Sequence, residues 1–432
     1  MRVGSKRAFI YALLFTLLMI SMLDRINMSV AGSSIAKEMN LGPTALGYPF
    51  SSFLWIYVIC LLPAGALTDR FGTRRAVAGA VGFWSIAQMF SGLAPTLSTL
   101  LLSRLGLGVF ESATNPGANS VIREWAPRSE RGLASSIWIS GSLAGPSVGA
   151  LLVSWLVSDF GWRCSFIVTG LIGLAWTAIW LLVFRKPEQA KWLGSEERQK
   201  ILNERDESRV GAGAESIGYR GLLSSPTMWG LAVTQGCLTY TAYFFLTWLP
   251  GYMQMARGFS IMRSGVYTAL PYGLAILFCV GFSYLSDRML SAEASRSGKR
   301  RYFVAFGSLA TAMVLLIPFA DSMTVVVGLL TIGLTFSGCS QSWNFALTND
   351  LLRSPGDVGR AFAFLTLGGN SFGILAPIVT GYLVSSTGSF TIPFIVCGLL
   401  AVVGAITAMF GARDTVGDRA IPTMPRHAAS AT

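Results

Sequence analysis

Long apolar runs separated by short polar ones set the rhythm of this chain. Twelve stretches of mostly apolar residues fall at roughly 8–32, 45–68, 75–95, 97–121, 131–157, 163–184, 226–253, 264–288, 301–320, 323–349, 358–385 and 389–411. Each reaches the length of about 20 residues that a helix needs to cross a hydrocarbon core. The first run is too long for a cleaved leader, and no small-residue cleavage site follows it, so it counts as a helix. The longest polar interval divides the runs six and six. The pattern therefore predicts an all-α membrane protein with an N-terminal six-helix bundle over 1–184, a cytoplasmic linker over 185–225, a C-terminal six-helix bundle over 226–411 and a cytoplasmic tail over 412–432. Within the linker, the charged segment 195–208 reads as a surface helix with no chemistry of its own.

Composition agrees. Of 432 residues, 52% are hydrophobic and only 12% charged, with mean hydropathy +0.56, which excludes an ordinary soluble protein. A net charge of +12 would suit a nucleic-acid binder, but its distribution points elsewhere. If the N-terminus is cytoplasmic, 27 of the 33 Lys and Arg fall on the cytoplasmic side, four (Lys37, Arg163, Arg257, Arg263) on the other, and two inside spans. That is the positive-inside pattern. It predicts a multi-pass protein of the plasma (inner) membrane with both termini cytoplasmic and the bilayer, not nucleic acid, as its partner. The six cysteines lie singly in or beside apolar runs with no metal-ligand or disulfide spacing, so no metal or other cofactor is expected.

Against this background the charges inside the runs stand out. Asp24 and Arg25 sit in the first, and an ionisable residue at the bilayer centre costs about 2.5–3.5 kcal/mol on insertion scales, so it is kept for a use. Neighbouring residues lie about 100° apart around a helix, so Asp24 and Arg25 each need a separate partner. In the fourth run Arg104 and Glu111 are separated by nearly two turns, which puts them on one face about 10 Å apart. Pro116, just beyond, opens the helix there. Asp24 and Glu111 are the acidic residues well inside spans, and the sole histidine, His427, is in the tail. A proton-coupled carrier built from this sequence has to carry its proton on a carboxylate. Burial favours the neutral acid, a nearby arginine opposes it, and an anion that competes for the arginine removes the opposition. The same four charges also permit a static buried network.

A repeat links the two halves. Gly65-Ala-Leu-Thr-Asp69-Arg70-Phe-Gly72-Thr-Arg74-Arg75 follows the second run, and Tyr284-Leu-Ser-Asp287-Arg288, with displaced Gly298-Lys299-Arg300-Arg301, follows the eighth. Corresponding loops in two six-helix halves are the mark of a duplicated transporter. With this signature the chain resembles the major facilitator superfamily. The resemblance implies two pseudo-symmetric six-helix bundles and alternating access, with Gly65, Asp69, Arg70, Gly72, Arg74, Asp287 and Arg288 gating the exchange between states.

Further motifs sharpen it. Asp24-Arg25, Phe53-x-Trp55-x-Tyr57, Arg104 to Glu111, Tyr243-Phe244-Phe245-Leu246-Thr247-Trp248-Leu249-Pro250, Trp343 and Gly369-Asn370-x-x-Gly373-Ile374-x-x-Pro377 together resemble the anion:cation symporters, which include sugar-acid and aromatic-acid carriers. The resemblance implies that Asp24 and Glu111 couple transport to protons. It implies that Arg25 couples Asp24 to substrate, that Arg104 holds Glu111 or the substrate carboxylate, and that Tyr57 and Trp343 line the central site. Asn115, Ser340 and Asn370 join the candidate substrate contacts. Met22, Ser142 and Thr366 depart from the sugar-acid pattern, where tyrosine, glutamine and asparagine are common, which brings aromatic or shorter carboxylates into contention, while Ser340, Gln341, Ser342, Asn344 and Asn370 still supply polar groups for a sugar acid. The expected function is inward, proton-coupled transport of a small carboxylate by a monomeric, non-enzymatic carrier. Gly141-Ser-Leu-Ala-Gly145-Pro146-Ser-Val-Gly149 is similar to a drug/proton antiporter pattern and keeps a proton-coupled exporter as the alternative, beside a transporter-like sensor that moves nothing.

Overall fold

Hydrocarbon offers a peptide group no water, so a spanning segment has to close its own backbone hydrogen bonds as a helix. The computed structural model describes residues 5–127, 130–190, 192–206, 218–291, 293–294, 297–352 and 357–416, and these are helical nearly throughout. The helices are α1 (Ser5–Met39), α2 (Pro43–Phe71), α3 (Thr73–Gly92), α4 (Leu97–Glu111), α5 (Thr114–Trp125), α6 (Arg131–Phe160), α7 (Trp162–Val183), α8 (Ser195–Asp206), α9 (Gly218–Leu223), α10 (Pro226–Met255), α11 (Ile261–Met289), α12 (Arg300–Thr311, continued as a 3₁₀ helix over Ala312–Phe319), α13 (Met323–Leu351), α14 (Val358–Thr387) and α15 (Thr391–Gly411). Among the described residues, nine segments are long and apolar enough to cross a membrane. The other expected spans are present as helices too: α3 and α10 carry more polar residues, and the fourth span is cut in two. Counting the α4–α5 and α12–3₁₀ pairs as one rod each recovers all twelve expected spans.

The cut has a local cause. Pro116 has no N–H and its ring crowds the carbonyl four residues back, at Ser112. The helix accordingly breaks at Ser112–Ala113 and restarts at Thr114, whose hydroxyl donates to the Glu111 carbonyl at 2.7 Å. Glu111 therefore ends α4 deep inside the protein, where it is 1% exposed.

Within the first bundle, small residues let helix backbones meet, as expected where no hydrophobic force drives lipid-embedded helices together. Gly141 and Gly145 of α6 lie against α1 so closely that a methyl group would stand 2.5 Å from the Phe15 carbonyl oxygen and 2.6 Å from that of Met19, respectively. The Gly141-to-Gly149 stripe is thus a seat for α1. Gly108 of α4 lies likewise against the Phe53 carbonyl of α2.

The two bundles meet away from the termini. Ser29 and Ser33 of α1 donate to the Thr247 carbonyl and to Gln254 of α10. Tyr48 of α2 and Tyr382 of α14 share a 2.9 Å hydroxyl pair, and Ser147 of α6 donates to the Ala269 carbonyl of α11 at 3.1 Å. Gly47 and Gly381 pack on the backbones of Pro377 and Pro43. On the side that carries the termini, no hydrogen bond or ion pair joins α1–α7 to α10–α15 among the described residues.

The described part of the linker is not a bare tether. Arg7 bridges Glu130, ahead of α6, and Glu197 of α8, at 2.7 Å each. Ala190, Leu193 and Ile201 are buried against the first bundle, and Trp192 stacks on Trp125 at 5.2 Å. The rest of the linker and the tail from residue 417, His427 included, lie outside the described residues.

Replacing Gly145 by alanine forces α1 and α6 apart and is expected to cost about 1–3 kcal/mol through overpacking. Gly79→Ala, at a position with nothing within 4 Å, is expected to be neutral. Melting curves of the purified variants in detergent check this; equal melting of the two contradicts the packing account.

Candidate functional site

One long apolar helix, α1, and a broken one, α4, place four charges at the centre of the first bundle. Arg25 donates from Nε to Glu111 Oε1 at 3.0 Å, its Nη2 lies 3.0 Å from the same oxygen, and Ser21, one turn earlier on α1, also donates to it. Glu111 Oε1 is therefore crowded with donors while Oε2 is buried with no partner among the described residues. Arg25 continues across the bundle boundary: its Nη1 donates to the Tyr243 hydroxyl of α10 at 3.0 Å. Its guanidinium lies 4.7 Å from the Phe53 ring centre and 5.6 Å from that of Tyr57, whose hydroxyl accepts from Asn115 Nδ2 at 3.1 Å. Cation–π contact of this kind holds a guanidinium in an apolar setting without another carboxylate.

Asp24 faces the other way round α1, as the 100° step requires. Its carboxylate is 1% exposed and makes no well-formed hydrogen bond among the described residues, with the Thr169 hydroxyl and the Trp84 indole beside it. Its neighbours are Arg104, Glu111, Trp84 and Thr169. Arg104, also 1% exposed, lies 5.3 Å from the Phe53 ring centre and makes a long 3.5 Å contact to Gln88 Oε1. Of the two roles expected for Arg104, holding Glu111 or the substrate carboxylate, the structure gives the ion pair with Glu111 to Arg25, while Arg104 stays beside both Glu111 and Asp24.

Asp24, Arg25, Tyr57, Arg104, Glu111 and Asn115 thus come together. Ser340 and Trp343 do not join them. Both sit on the face of α13 turned to α12: Ser340 Oγ donates to the Val304 carbonyl at 3.5 Å, and Trp343 meets Phe303 edge to face at 5.8 Å. Gly307 leaves room for them there. Asn370 is half-buried on α14, next to Gly369, whose missing side chain admits Thr239. The polar groups that α13 does bring into the second bundle's interior are Gln341 and Asn344. Asn344 Nδ2 donates to Gln235 Oε1 at 3.0 Å, and Gln235 Nε2 and Thr239 reach Gln341 Oε1 at 3.3 and 3.5 Å.

The residues of the repeated motif are dispersed over the side that carries the termini. Asp69 and Arg70 are exposed, with Arg70 beside Phe71; Gly72 turns the chain at φ 78°, which glycine adopts without strain. Arg74 donates to the Leu181 carbonyl and accepts from Trp180 Nε1 through its own carbonyl at 3.0 Å, fastening α3 to α7. Gly65 faces Pro116 at 4.0 Å. Asp69, Gly72, Thr73, Arg123 and Lys186 are among the residues that line a cleft of about 300 Å³. Arg288 is exposed, and the Asp287 side chain lies outside the described residues.

The sequence pattern alone does not mark Ser21, Trp84, Gln88, Thr169, Tyr243, Gln235 and Thr239 as site residues. Ser21 carried a signal, one helical turn before Arg25, and Gln88 and Gln235 are amides inside apolar runs. Tyr243 was noted as part of a motif, but its reach to Arg25 depends on how the bundles meet.

Comparisons with known proteins agree with this architecture. The family model described as Major Facilitator Superfamily matches residues 13–357. The chain is 32% identical to the probable galactarate/D-glucarate transporter GudP of Bacillus subtilis, over 93% of this chain and 89% of that one. It is 30% identical to the probable L-galactonate transporter of Escherichia coli, over 94% and 89%. Against the probable sulfoacetate transporter SauU of Cupriavidus necator it is 30% identical over 94% and 93%. A solved bacterial homologue of the human lysosomal transporter Spinster, in an inward-facing and occupied conformation, superposes with TM-score 0.73 at 17% identity, over 98% of this chain and 100% of that one. The likeness to that structure is one of fold.

Removing one member of a buried ion pair strands the other, at a cost of about 3–5 kcal/mol, whereas removing both together with apolar replacements is close to neutral. Glu111→Leu is expected to lower the melting temperature sharply, and Arg25→Met with Glu111→Leu to recover most of the loss. A double variant as unstable as Glu111→Leu alone contradicts the pairing.

Proposed function

The chain belongs to the major facilitator superfamily and is a transporter, and we propose that it carries a small carboxylate, in the first place a sugar acid, inward together with protons. The observation that carries this reading is the Arg25–Glu111 pair, buried where the bundles meet, with Tyr243 of the second bundle on the same guanidinium. A planar guanidinium is suited to bidentate recognition of a carboxylate. When a substrate carboxylate takes Arg25, Glu111 loses its counterion in a low-dielectric site and takes up a proton, and the carrier, relieved of its charge, reorients. Asp24, already without a well-formed hydrogen bond, is the second proton carrier.

Substrate class follows from the groups opposite. Gln235, Thr239, Gln341 and Asn344 offer neutral donors and acceptors to hydroxyls, which favours a polyhydroxylated acid despite Met22, Ser142 and Thr366. Relatives named for galactarate, D-glucarate and L-galactonate support that choice, and one named for sulfoacetate supports a small anion more broadly. Tyr57 and Asn115 complete the wall beside Arg25, and Asn370 stands on the side of the second bundle.

With the termini cytoplasmic, as the basic residues favour, the face where the bundles touch is external, which supports an inward-facing state of a plasma-membrane carrier. The two six-helix bundles over 1–184 and 226–411 rock about the site as a monomer, and Asp69, Arg70, Arg74 and their counterparts Asp287 and Arg288 close the inner face on the return stroke.

In liposomes with an inward proton gradient, the purified protein is expected to accumulate D-glucarate or L-galactonate. Asp24→Asn and Glu111→Gln abolish gradient-driven accumulation, and at least one of them retains exchange of external for internal substrate. Arg25→Lys loses ten-fold or more in affinity, about 1.4 kcal/mol, because a point charge does not reproduce the guanidinium fork. Normal accumulation by both carboxylate variants contradicts the proton assignment.

A further inference from the structure

Asp24 makes no well-formed hydrogen bond although Thr169 and the Trp84 indole lie beside it, and for the hydroxyl the cause is in the helices behind. Thr169 of α7 is the nearby hydroxyl, and its hydrogen-bonding capacity is already used. Its Oγ1 accepts from Asn27 Nδ2 at 3.0 Å and from Gln88 Nε2 at 3.1 Å, and it donates to the Phe166 carbonyl at 3.3 Å. One donor and two lone pairs exhaust a hydroxyl. Asn27 is fixed in turn, since its Oδ1 accepts from Ser165 at 2.7 Å. Gln88, held through its NH₂ group, has to turn its carbonyl oxygen away from Thr169, and that oxygen faces Arg104. Asn27, Gln88, Ser165 and Thr169 are completely buried, and none of them is needed to hold the fold's ion pair.

We infer that Gln88, locked by Thr169 and Asn27, is a positioning residue for the proton step: its carbonyl engages the Arg104 guanidinium and so leaves Asp24 free to gain and lose a proton. A carboxylate fastened to Arg104 by a bidentate pair stays ionised. A neutral amide between α3 and α4 holds the same cation in place whichever state Asp24 is in. The charged groups facing Asp24 are Arg104 and Glu111 from α4, and α3 and α7 face it with the neutral Trp84 and Thr169; Arg25, Tyr57 and Tyr243 gather on the other side of α1 around Glu111. Gln88 is therefore the position at which a change of one atom alters the field on Asp24 without touching the Arg25–Glu111 pair. The inference rests on the reading of Asp24 as a proton carrier, and the test separates the two.

The test is an infrared titration of the purified full-length protein in lipid nanodiscs, without substrate. The carboxylic-acid C=O band that disappears in Asp24→Asn belongs to Asp24, and its pH midpoint is read in each Gln88 variant against the matching Asp24→Asn double variant. Gln88→Met removes the acceptor and lets Arg104 turn to Asp24, so the midpoint is expected to fall by roughly one pH unit. Gln88→Glu places a carboxylate on Arg104 and a like charge near Asp24, so the midpoint is expected to rise by roughly as much. A merely structural role for Gln88 lowers the melting temperature and leaves the midpoint in place. Where Gln88→Glu does not fold, the fall in Gln88→Met decides alone. Midpoints unmoved while Asp24→Asn still removes a titrating band overturn the role of Gln88 and leave the proton reading standing. A spectrum in which Asp24→Asn removes no titrating band overturns the proton reading and the inference with it.

Discussion

A salt bridge buried among apolar helices is the constraint around which this molecule is organised. Desolvating an arginine and a glutamate costs several kcal/mol per ion, and their mutual attraction seldom gives a net gain over well-packed apolar residues. The protein nevertheless builds an elaborate setting for Arg25 and Glu111. Gly108 draws α4 onto α2, Pro116 ends α4 at the required depth, Ser21 adds a donor, and Phe53 lends its ring face to both arginines. Such a pair is better explained by its use than by its contribution to stability, and the use fits a site where an incoming anion exchanges with the carboxylate.

Charge is distributed unequally between the bundles. The first holds the buried ions; the second contributes Tyr243 and the amides of Gln235, Gln341 and Asn344, all neutral. The contact between the bundles away from the termini is likewise made of uncharged groups, serine and tyrosine hydroxyls and glycines on proline carbonyls. Opening such a contact exchanges protein hydrogen bonds for water at small net cost. A carrier that alternates between states of similar energy is well served by an interface of that kind.

The fold was largely legible in the sequence because the bilayer imposes one length scale on every span and leaves the helix as the solution. The Asp24, Arg25, Arg104 and Glu111 quartet was legible for the same reason: charge in an apolar run is conspicuous. Two things were not. Which arginine takes Glu111 depends on the Ser112 break and on the way α1 meets α4, which spacing along one helix does not convey. Ser340 and Trp343 were read as cavity groups, yet they share a helix with Gln341 and Asn344, and a rotation of about 100° per residue decides which of the four face the interior. The surroundings of Asp24 were invisible because serines, threonines and glutamines are common in helices, and what matters is whether their hydrogen bonds are already committed.

If anion binding at Arg25 releases Glu111 to a proton, then binding itself takes up protons, before any transport. Calorimetric titration of the purified protein with D-glucarate in two buffers of different ionisation enthalpy measures this directly. The account predicts uptake of about one proton per ligand bound, and its loss in Glu111→Gln. Binding with no proton exchange, or with the same exchange in Glu111→Gln, would contradict it.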